Sequence, residues 1–337
     1  MNNGADAEQR IQNNTQGKHV LYIATKNSDY LRIEQEISLL KKHAKKVDVI
    51  VSSRKSYPLR LLYVYWKTLF HFEDFDVVFI GFSPQLILPI FLWRFRKKTI
   101  IIDFFISIYD TLVFDRKKFK NNSTISALLK KIDMFTLRVC NLIICDTNEH
   151  SKYFINELEA DPNKTTVLYL NADSKYYYPK NSIRPEQLKD KFIVLYFGSV
   201  LPLQGIEIII EAISRINSND IHFILIGPLK DKLKSEKLKN VTFINWLPQK
   251  ELSSHIAFSD LCLAGHFNDD IKKAKRVIPG KAYIYEAMNK RMILGDNAAN
   301  RERYPMHYDN IEFIKMGSAT DLTKTILKEF KRKKNVK

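Results

Sequence analysis

The sequence predicts an α/β protein with two doubly wound domains, each built on a parallel sheet that helices cover on both faces. Short apolar runs alternate with longer segments whose apolar residues recur with a helical period. The runs hold almost no polar residue, which is typical of parallel strands buried on both faces. The alternation breaks once, in a polar stretch near the middle of the chain, and then resumes, which indicates two domains of similar construction.

The first domain is predicted over residues 19–170. Its first strand is HVLYIAT, and the following helix, YLRIEQEISLLKKH, places Leu31, Ile37 and Leu40 on one face. Further strands are expected at VDVIVS, DVVFIGF, KTIIID, NLIICD and TTVLYL. Residues 1–18 are polar and rich in asparagine, so we expect a disordered tail ahead of this domain.

Residues 171–190 are polar and tyrosine-rich and contain two prolines, which predicts a linker. The second domain is predicted over residues 191–317, with strands at FIVLYFGS, IHFILIGP, VTFINW, DLCLAGH and RMILGD. The segment GIEIIIEAISRI is expected to form a helix between the first two of them. Residues 318–337 are predicted to form a C-terminal helix with a basic tail.

The composition favours an anionic partner. The 337 residues include 54 Lys and Arg against 37 Asp and Glu, a formal charge of +17. The strands are apolar throughout, without the aromatic residues interleaved with Lys and Arg that suit nucleic acid, so no nucleic acid is expected. The three cysteines form no CxxC pair, and no signal peptide or 20-residue apolar run is present. These features predict a cytoplasmic protein.

Polar and glycine residues follow the predicted strands, where open α/β sheets bind ligands. They are Ser83, Asp103, Asp146 and His150 in the first half, and Gly198, Ser199, Gly227 and His266 in the second. Turns and helix caps use the same residue types, so any single one of them is explained without function. Their clustering in both halves predicts a ligand site.

The stretch RVIPGKAYIYEA predicts an anion site. Pro279 suits the first turn of a helix, and the free N–H groups of a helix start attract phosphate. Lys275, Arg276 and Lys281 surround that start, and fixed positive charge stabilises a diphosphate leaving group as a bond breaks. A solvated basic loop is the alternative. A second glycine feature, YFGSVLPLQGIEIIIEA, lacks both GxGxxG and a Walker lysine, which disfavours a dehydrogenase or a P-loop NTPase.

These stretches together resemble the GT-B glycosyltransferases of the family-4 type. The likeness extends over FGSVLPLQGIEIIIEA, IGP, VTFINWLPQKEL, SDLCLA and VIPGKAYIYEAM. In the first half, GFSPQLILP, IIDFFISIYDTLVFDRK and CDTNEHSKYF resemble the bacterial branch that builds surface polysaccharides, O-antigen and capsule.

The resemblance implies a hexosyltransferase-type enzyme that needs neither a metal nor another cofactor. A UDP- or GDP-sugar would be held mainly by the second domain and a glycan or lipid-linked acceptor by the first, across a cleft. Transfer would retain the anomeric configuration, and the final helix would cross back onto the first domain. The donor-binding residues would be Gly198, Ser199, Gln204, Gly227, His266, Lys275, Arg276, Lys281 and Glu286.

The sequence departs from this family at two positions. Members carry two glutamates, eight residues apart, around the sugar and ribose, and the ungapped alignment places Arg276 and Ile284 there. Lys275, Arg276 and Lys281 are then expected to neutralise the diphosphate. Because the glutamates are missing, a non-catalytic scaffold of the same fold stays open. A sugar-nucleotide epimerase, which shares this architecture, is a further alternative.

The first domain offers candidate catalytic residues in Asp103, Asp110 and His150. A carboxylate at a strand end can orient an acceptor hydroxyl or accept its proton, and a helix over this segment would place Asp103 and Asp110 on one face. Ser83, Asp115 and Arg116 are the candidate acceptor-binding residues. Capping by Asp103 and a surface ion pair between Asp115 and Arg116 are the structural alternatives.

Two segments combine aromatic and aliphatic residues with Lys and Arg: PLRLLYVYWKTLFHF and LILPIFLWRFRKK. Such segments can rest on an anionic membrane surface, here the inner face of the plasma membrane. A core helix is the alternative.

Overall fold

A computed structural model of the chain describes residues 3–27, 29–229, 238, 240–305 and 308–336. It divides into two compact units, Met1–Asn171 and Ala172–Lys337. Each unit contains a six-stranded sheet in which all paired strands are parallel. The α/β class with two doubly wound sheets is therefore confirmed.

The sheet of the first unit has the strand order β2-β1-β3-β4-β5-β6. Its strands are β1 (His19–Ala24), β2 (Lys46–Ile50), β3 (Val77–Phe82), β4 (Thr99–Asp103), β5 (Leu142–Cys145) and β6 (Thr165–Val167). The helices are α1 (Asn3–Thr15), α2 (Leu31–His43), α3 (Tyr57–Leu69), α4 (Leu88–Phe95), α5 (Thr124–Arg138) and α6 (Asn148–Leu158). Buried apolar side chains cover both faces of this sheet, as the uninterrupted apolar strands require.

Helix α1 corrects the expectation of a disordered tail. Ala7 and Ile11 lie on one face, four residues apart, and are fully buried in the core. The Arg10 guanidinium donates to the carbonyl of Thr165 at 2.7 Å, and the hydroxyl of Thr166 donates to Asp6 at 2.9 Å. These contacts order the segment, and the abundance of asparagine and glutamine around two apolar positions concealed it.

The sheet of the second unit has the order β12-β11-β10-β7-β8-β9. Its strands are β7 (Phe192–Phe197), β8 (Ile221–Ile226), β9 (Val241–Ile244), β10 (Leu261–Gly265), β11 (Met292–Gly295) and β12 (Ile311–Ile314). The helices are α7 (Ile206–Ser214), α8 (Gln249–Phe258), α9 (Gly280–Ala287), α10 (Ala298–Arg303) and α11 (Ala319–Val336). Strand β12, a short and half-buried edge strand, was not predicted because IEFI carries only three apolar residues.

The ends of the second unit differ from expectation. The predicted linker is attached to it, because Arg184 donates to the carbonyls of Lys191 and Phe258 and to Asp260, each at 2.8 Å. Helix α11 was expected to cross back onto the first domain. The structure shows its apolar face packed on the second domain, where Leu322 and Ile326 are fully buried in the core and Phe330 contacts the ring of Phe192.

Within the ranges the structure describes, no helix combines the length and apolar character needed to cross a bilayer.

Candidate functional site

The strand order of the second unit changes direction between β7 and β10, which pair side by side. Ligands of open α/β sheets bind at such a point, beyond the carboxyl ends of the strands. Gly198 follows β7, and His266 follows β10. Lys281, from the first turn of α9, reaches the same place, since a Cβ atom on Gly198 would lie 3.2 Å from its Nζ. The Lys281 ammonium donates to the side-chain carbonyl of Gln204. Four predicted donor-binding residues therefore meet at this switch point.

Lys281 is a buried cation whose neighbours are neutral. Its Nζ lies 4.3 Å from the centre of the Tyr196 ring, and no carboxylate of the described residues pairs with it. Burial lowers the pKa of Lys281 to about 7. A buried charge without a counter-charge is costly, and an anionic ligand would offset that cost. The sequence did not indicate a role for Tyr196, because an aromatic residue near the end of an apolar strand is expected to belong to the core.

His266 is the second ionisable group of this cluster. Burial, assisted by the charge of Lys281, lowers its pKa to about 3, so the imidazole is neutral at physiological pH. Its Nδ1 is buried and makes no hydrogen bond to any residue that the structure describes. The backbone of Ala274 and Val277 lies near the ring and favours its protonated form, but burial outweighs this effect on the pKa. A neutral imidazole beside the ammonium can offer a ring nitrogen to a ligand without adding charge.

Two glycines allow the loops at this edge to approach closely. A Cβ atom on Gly227, after β8, would lie 2.1 Å from the carbonyl oxygen of Gly198. Gly205 adopts a φ of +67°, and a Cβ atom there would lie 2.6 Å from the backbone nitrogen of Asn268. Gly227 therefore serves the site by letting strand ends pack together, which is a structural use of a residue predicted to bind the donor.

Two of the remaining predicted donor-binding residues, Glu286 and Lys275, have charged partners of their own. Glu286 accepts from Arg303 at 2.9 Å and from the hydroxyl of Tyr304 at 3.0 Å, both of the α10 region. Lys275 is half exposed and pairs with Asp269 at 2.7 Å. Ser199 lies in the loop after β7, and Arg276 caps the 3₁₀ turn Lys272–Lys275. Ile284 is buried in α9.

Asp103, at the end of β4 in the first unit, is held in a buried ion pair. Arg32 of α2 donates to both carboxylate oxygens, at 2.7 Å from Nε and 3.0 Å from Nη2, and also to the carbonyl of Leu168. Glu36, one turn along α2, lies 3.4 Å from Arg32, and burial followed by the charge of Asp103 raises its pKa. Both oxygens of Asp103 are thus engaged.

Sequence reasoning missed the partners of Asp103. Arg32 and Glu36 occupy helix positions on the same side of α2 as the buried Ile33, Leu39 and Leu40. Charged residues at positions where the helix otherwise buries apolar side chains were the signal that could have revealed this buried pair.

Asp103 and Asp110 do not share a helix face, which corrects the helical interpretation of their segment. Strand β4 ends at Asp103, and a π-helical turn spans Asp110–Asp115. Asp133 of α5 fixes the intervening loop, because it accepts from Ser107 at 2.6 Å, from the backbone of Tyr109 at 3.0 Å and from Gln85 at 2.9 Å. Burial raises the pKa of Asp133 to about 6. Asp110 itself is buried.

His150, in the first turn of α6, is also fully buried. Its Nδ1 lies 2.8 Å from Asp146, and its ring packs on Phe154 with centres 4.2 Å apart. The Nε2 atom is buried and has no hydrogen-bond partner among the residues that the structure describes.

Of the candidate acceptor residues, Ser83 is buried just after β3, and Arg116 is exposed. Asp115 is buried.

No family model matches the chain. The phosphatidylinositol N-acetylglucosaminyltransferase GPI3 subunit of Saccharomyces cerevisiae (strain YJM789) is 23% identical over 165 residues, 45% of this chain and 36% of the yeast protein. The chain thus covers about a third of that relative's length.

Solved structures resemble nearly the whole chain. Sucrose-phosphate synthase from Thermosynechococcus elongatus has a TM-score of 0.68 at 12% identity, covering 94% of this chain and 90% of that one. Anabaena HepE, solved in complex with UDP and glucose, has a TM-score of 0.62 at 15% identity, covering 92% and 89%. A putative UDP-N-acetylglucosamine 2-epimerase from Listeria monocytogenes has a TM-score of 0.54 at 12% identity, covering 94% and 89%. The two parallel sheets and these likenesses show that the chain has the GT-B fold.

Proposed function

We propose that the protein is a glycosyltransferase that takes a sugar from a nucleotide-diphosphate donor, with the donor diphosphate bound at the switch point of the second unit. The observation that carries this proposal is Lys281, a buried ammonium whose described neighbours are Gln204, Tyr196 and the neutral His266. The shared fold supports it, and HepE, a protein with that fold, was solved with UDP and glucose.

The site supplies what a departing diphosphate needs. As the bond from the anomeric carbon to the diphosphate oxygen breaks, the diphosphate keeps the electron pair and its charge grows. The Lys281 ammonium would stabilise that charge from a fixed position in a dry environment. The acceptor hydroxyl forms the new glycosidic bond and releases its proton to the diphosphate. We also propose that transfer retains the anomeric configuration and requires no metal ion. Because no metal is required, EDTA should leave the transfer rate unchanged.

We propose a glycan or lipid-linked acceptor at the inner face of the plasma membrane, in bacterial surface polysaccharide synthesis. The name of the yeast relative supports a membrane lipid as acceptor, since that protein is a phosphatidylinositol N-acetylglucosaminyltransferase subunit. In the first unit, Asp103 then serves to hold β4 to α2. His150 keeps an unpartnered buried Nε2 and is the better candidate to contact a substrate.

The test is thermal unfolding with UDP- and GDP-sugars. A nucleotide at a hundredfold excess over its Kd should raise the Tm by on the order of 5 °C. Lys281→Met should abolish that shift while raising the Tm of the free protein, because it removes an uncompensated buried charge. Lys290→Met is the matched control: this lysine is also largely buried in the second unit, and it donates to the carbonyl of Ala257. A full nucleotide shift in Lys281→Met would overturn the proposed site.

A non-catalytic scaffold is the second candidate, because Arg276 and Ile284 stand where the family has glutamates. Nucleotide release from the donor by the purified wild type, lost in Lys281→Met and kept in Lys290→Met, would exclude it. A sugar-nucleotide epimerase is the third candidate. It would convert the donor into its epimer in the absence of any acceptor, so analysis of the products separates epimerisation from transfer.

A further inference from the structure

Helix α3 exposes an apolar stripe. Leu59, Leu62 and Trp66 are 52%, 62% and 63% exposed, and their spacing places them on one side of the helix. The opposite side, with Arg60, Val64 and Thr68, is buried. An amphipathic helix of a globular domain normally keeps its apolar side inward. Helix α3 therefore presents to solvent a face that is more apolar than its buried one.

Helix α4 extends this stripe. The hydroxyl of Tyr65 donates to the carbonyl of Leu86 at 2.7 Å, and its ring contacts Phe91 with centres 5.7 Å apart. These contacts hold α3 against α4. On α4, the side chains of Trp93 and Ile90 are 62% and 48% exposed. The segment between α3 and β3 adds the exposed side chains of Phe70 and Phe72. We name the α3–α4 face by its exposed apolar members: Leu59, Leu62, Trp66, Phe70, Phe72, Ile90 and Trp93.

The charge around this face is mainly positive, since Glu73 and Asp74, which directly follow Phe72, pair with Lys46 and Lys98. The segments 57–72 and 84–98 contain no aspartate or glutamate. Exposed cations flank the face: Arg54, Lys55, Lys67, Arg96 and Lys97. Long cationic side chains beside apolar and aromatic ones suit the boundary between lipid head groups and acyl chains. They also select anionic lipid over neutral lipid.

We propose that the α3–α4 face docks this protein on an anionic lipid bilayer, with Trp66, Phe72 and Trp93 entering the head-group region. Large exposed apolar side chains grouped in this way mark an interaction surface. The five flanking cations outnumber the neighbouring Glu73 and Asp74, so the face is complementary to acidic lipid. The inference deepens the proposed function, because it gives the membrane-bound acceptor a surface on which the first unit can meet it. The docking itself requires no transfer activity.

Vesicle sedimentation tests the proposal. The wild type should bind phosphatidylcholine vesicles containing phosphatidylglycerol at least about tenfold more tightly than pure phosphatidylcholine, and salt should weaken that binding. The double variant Trp66→Ser/Trp93→Ser should bind the anionic vesicles at least about tenfold more weakly. The control Tyr178→Ser/Ile183→Ser removes two exposed apolar side chains of the second unit and should bind as the wild type does.

Thermal unfolding, with and without nucleotide, separates the possible failures. An unchanged Tm and nucleotide shift in Trp66→Ser/Trp93→Ser shows an intact fold and donor site, so that weaker vesicle binding reports the docking face alone. The proposal is overturned if the wild type ignores anionic vesicles, or if the double variant binds them normally. It is also overturned if the double variant instead removes self-association of the protein in the absence of lipid. Each of these results leaves the donor site untouched.

Discussion

At the scale of single residues, the central feature is a lysine kept without a counter-charge. A protein that needed Lys281 only for packing would gain by replacing it with an apolar residue, because burial penalises the ammonium. Under the proposed function, its position among Gly198, Gln204 and His266 would let the charge bind an anion.

The lowered pKa of Lys281 makes nucleotide affinity depend on pH. In the free folded protein its pKa is about 7, below its usual 10.5, so the ammonium proposed to bind diphosphate is lost as the pH rises above 7. Affinity should therefore fall with rising pH, by up to about tenfold per pH unit, until the pKa of the bound state is reached. Titration calorimetry at several pH values measures the slope. In Lys281→Gln the slope should vanish, and an equal slope in that variant would assign the titration to another group.

The same shift has the opposite effect on stability. Between pH 7 and 10.5 the unfolded chain binds a proton at Lys281 that the folded chain does not, so the free energy of unfolding from this residue rises with pH.

At the scale of elements, helix α1 shows what single-sequence reasoning overlooks. We expect Ile11→Ala to cost about 2–4 kcal/mol of unfolding free energy, because Ile11 is fully buried in the first core. Glu8→Ala, on the exposed side of the same helix, should change it by less than about 0.5 kcal/mol. Urea denaturation compares them. If both substitutions changed the unfolding free energy negligibly, the segment would be a disordered tail after all.

The strands were predictable because their physics is local. Apolar runs such as VLYIA and LIIC favour strands that are buried on both faces. All eleven runs quoted from the sequence coincide with strands of the two sheets, β1 to β11. What was missed depends on contacts between distant parts of the chain. Arg32 reaches Asp103 across 71 residues, and Arg10 reaches Thr165 across 155. No local pattern specifies such pairs.

At the scale of the whole molecule, the candidate site follows from topology. In each sheet, the strands are added first on one side of the first strand and then on the other. Each sheet therefore has one pair of neighbouring strands whose following loops run in opposite directions. Sequence placed Gly198, Gln204, His266 and Lys281 near such an edge, and the strand order joined them. It could not separate Glu286, whose pairing with Arg303 depends on how α10 packs.

The excess of basic residues has two uses in this account. One buried cation serves the donor site, and exposed cations flank the α3–α4 face, so most of the formal charge of +17 lies outside the catalytic proposal. Salt should therefore weaken vesicle binding more strongly than nucleotide binding, because exposed charges are screened and buried ones much less.

The most direct measurement is a crystal structure of the protein with UDP or GDP. We predict a diphosphate oxygen within hydrogen-bonding distance, about 3 Å, of the Lys281 Nζ at the carboxyl ends of β7 and β10. A nucleotide bound elsewhere, or a diphosphate there that makes no contact with Lys281, would contradict this prediction.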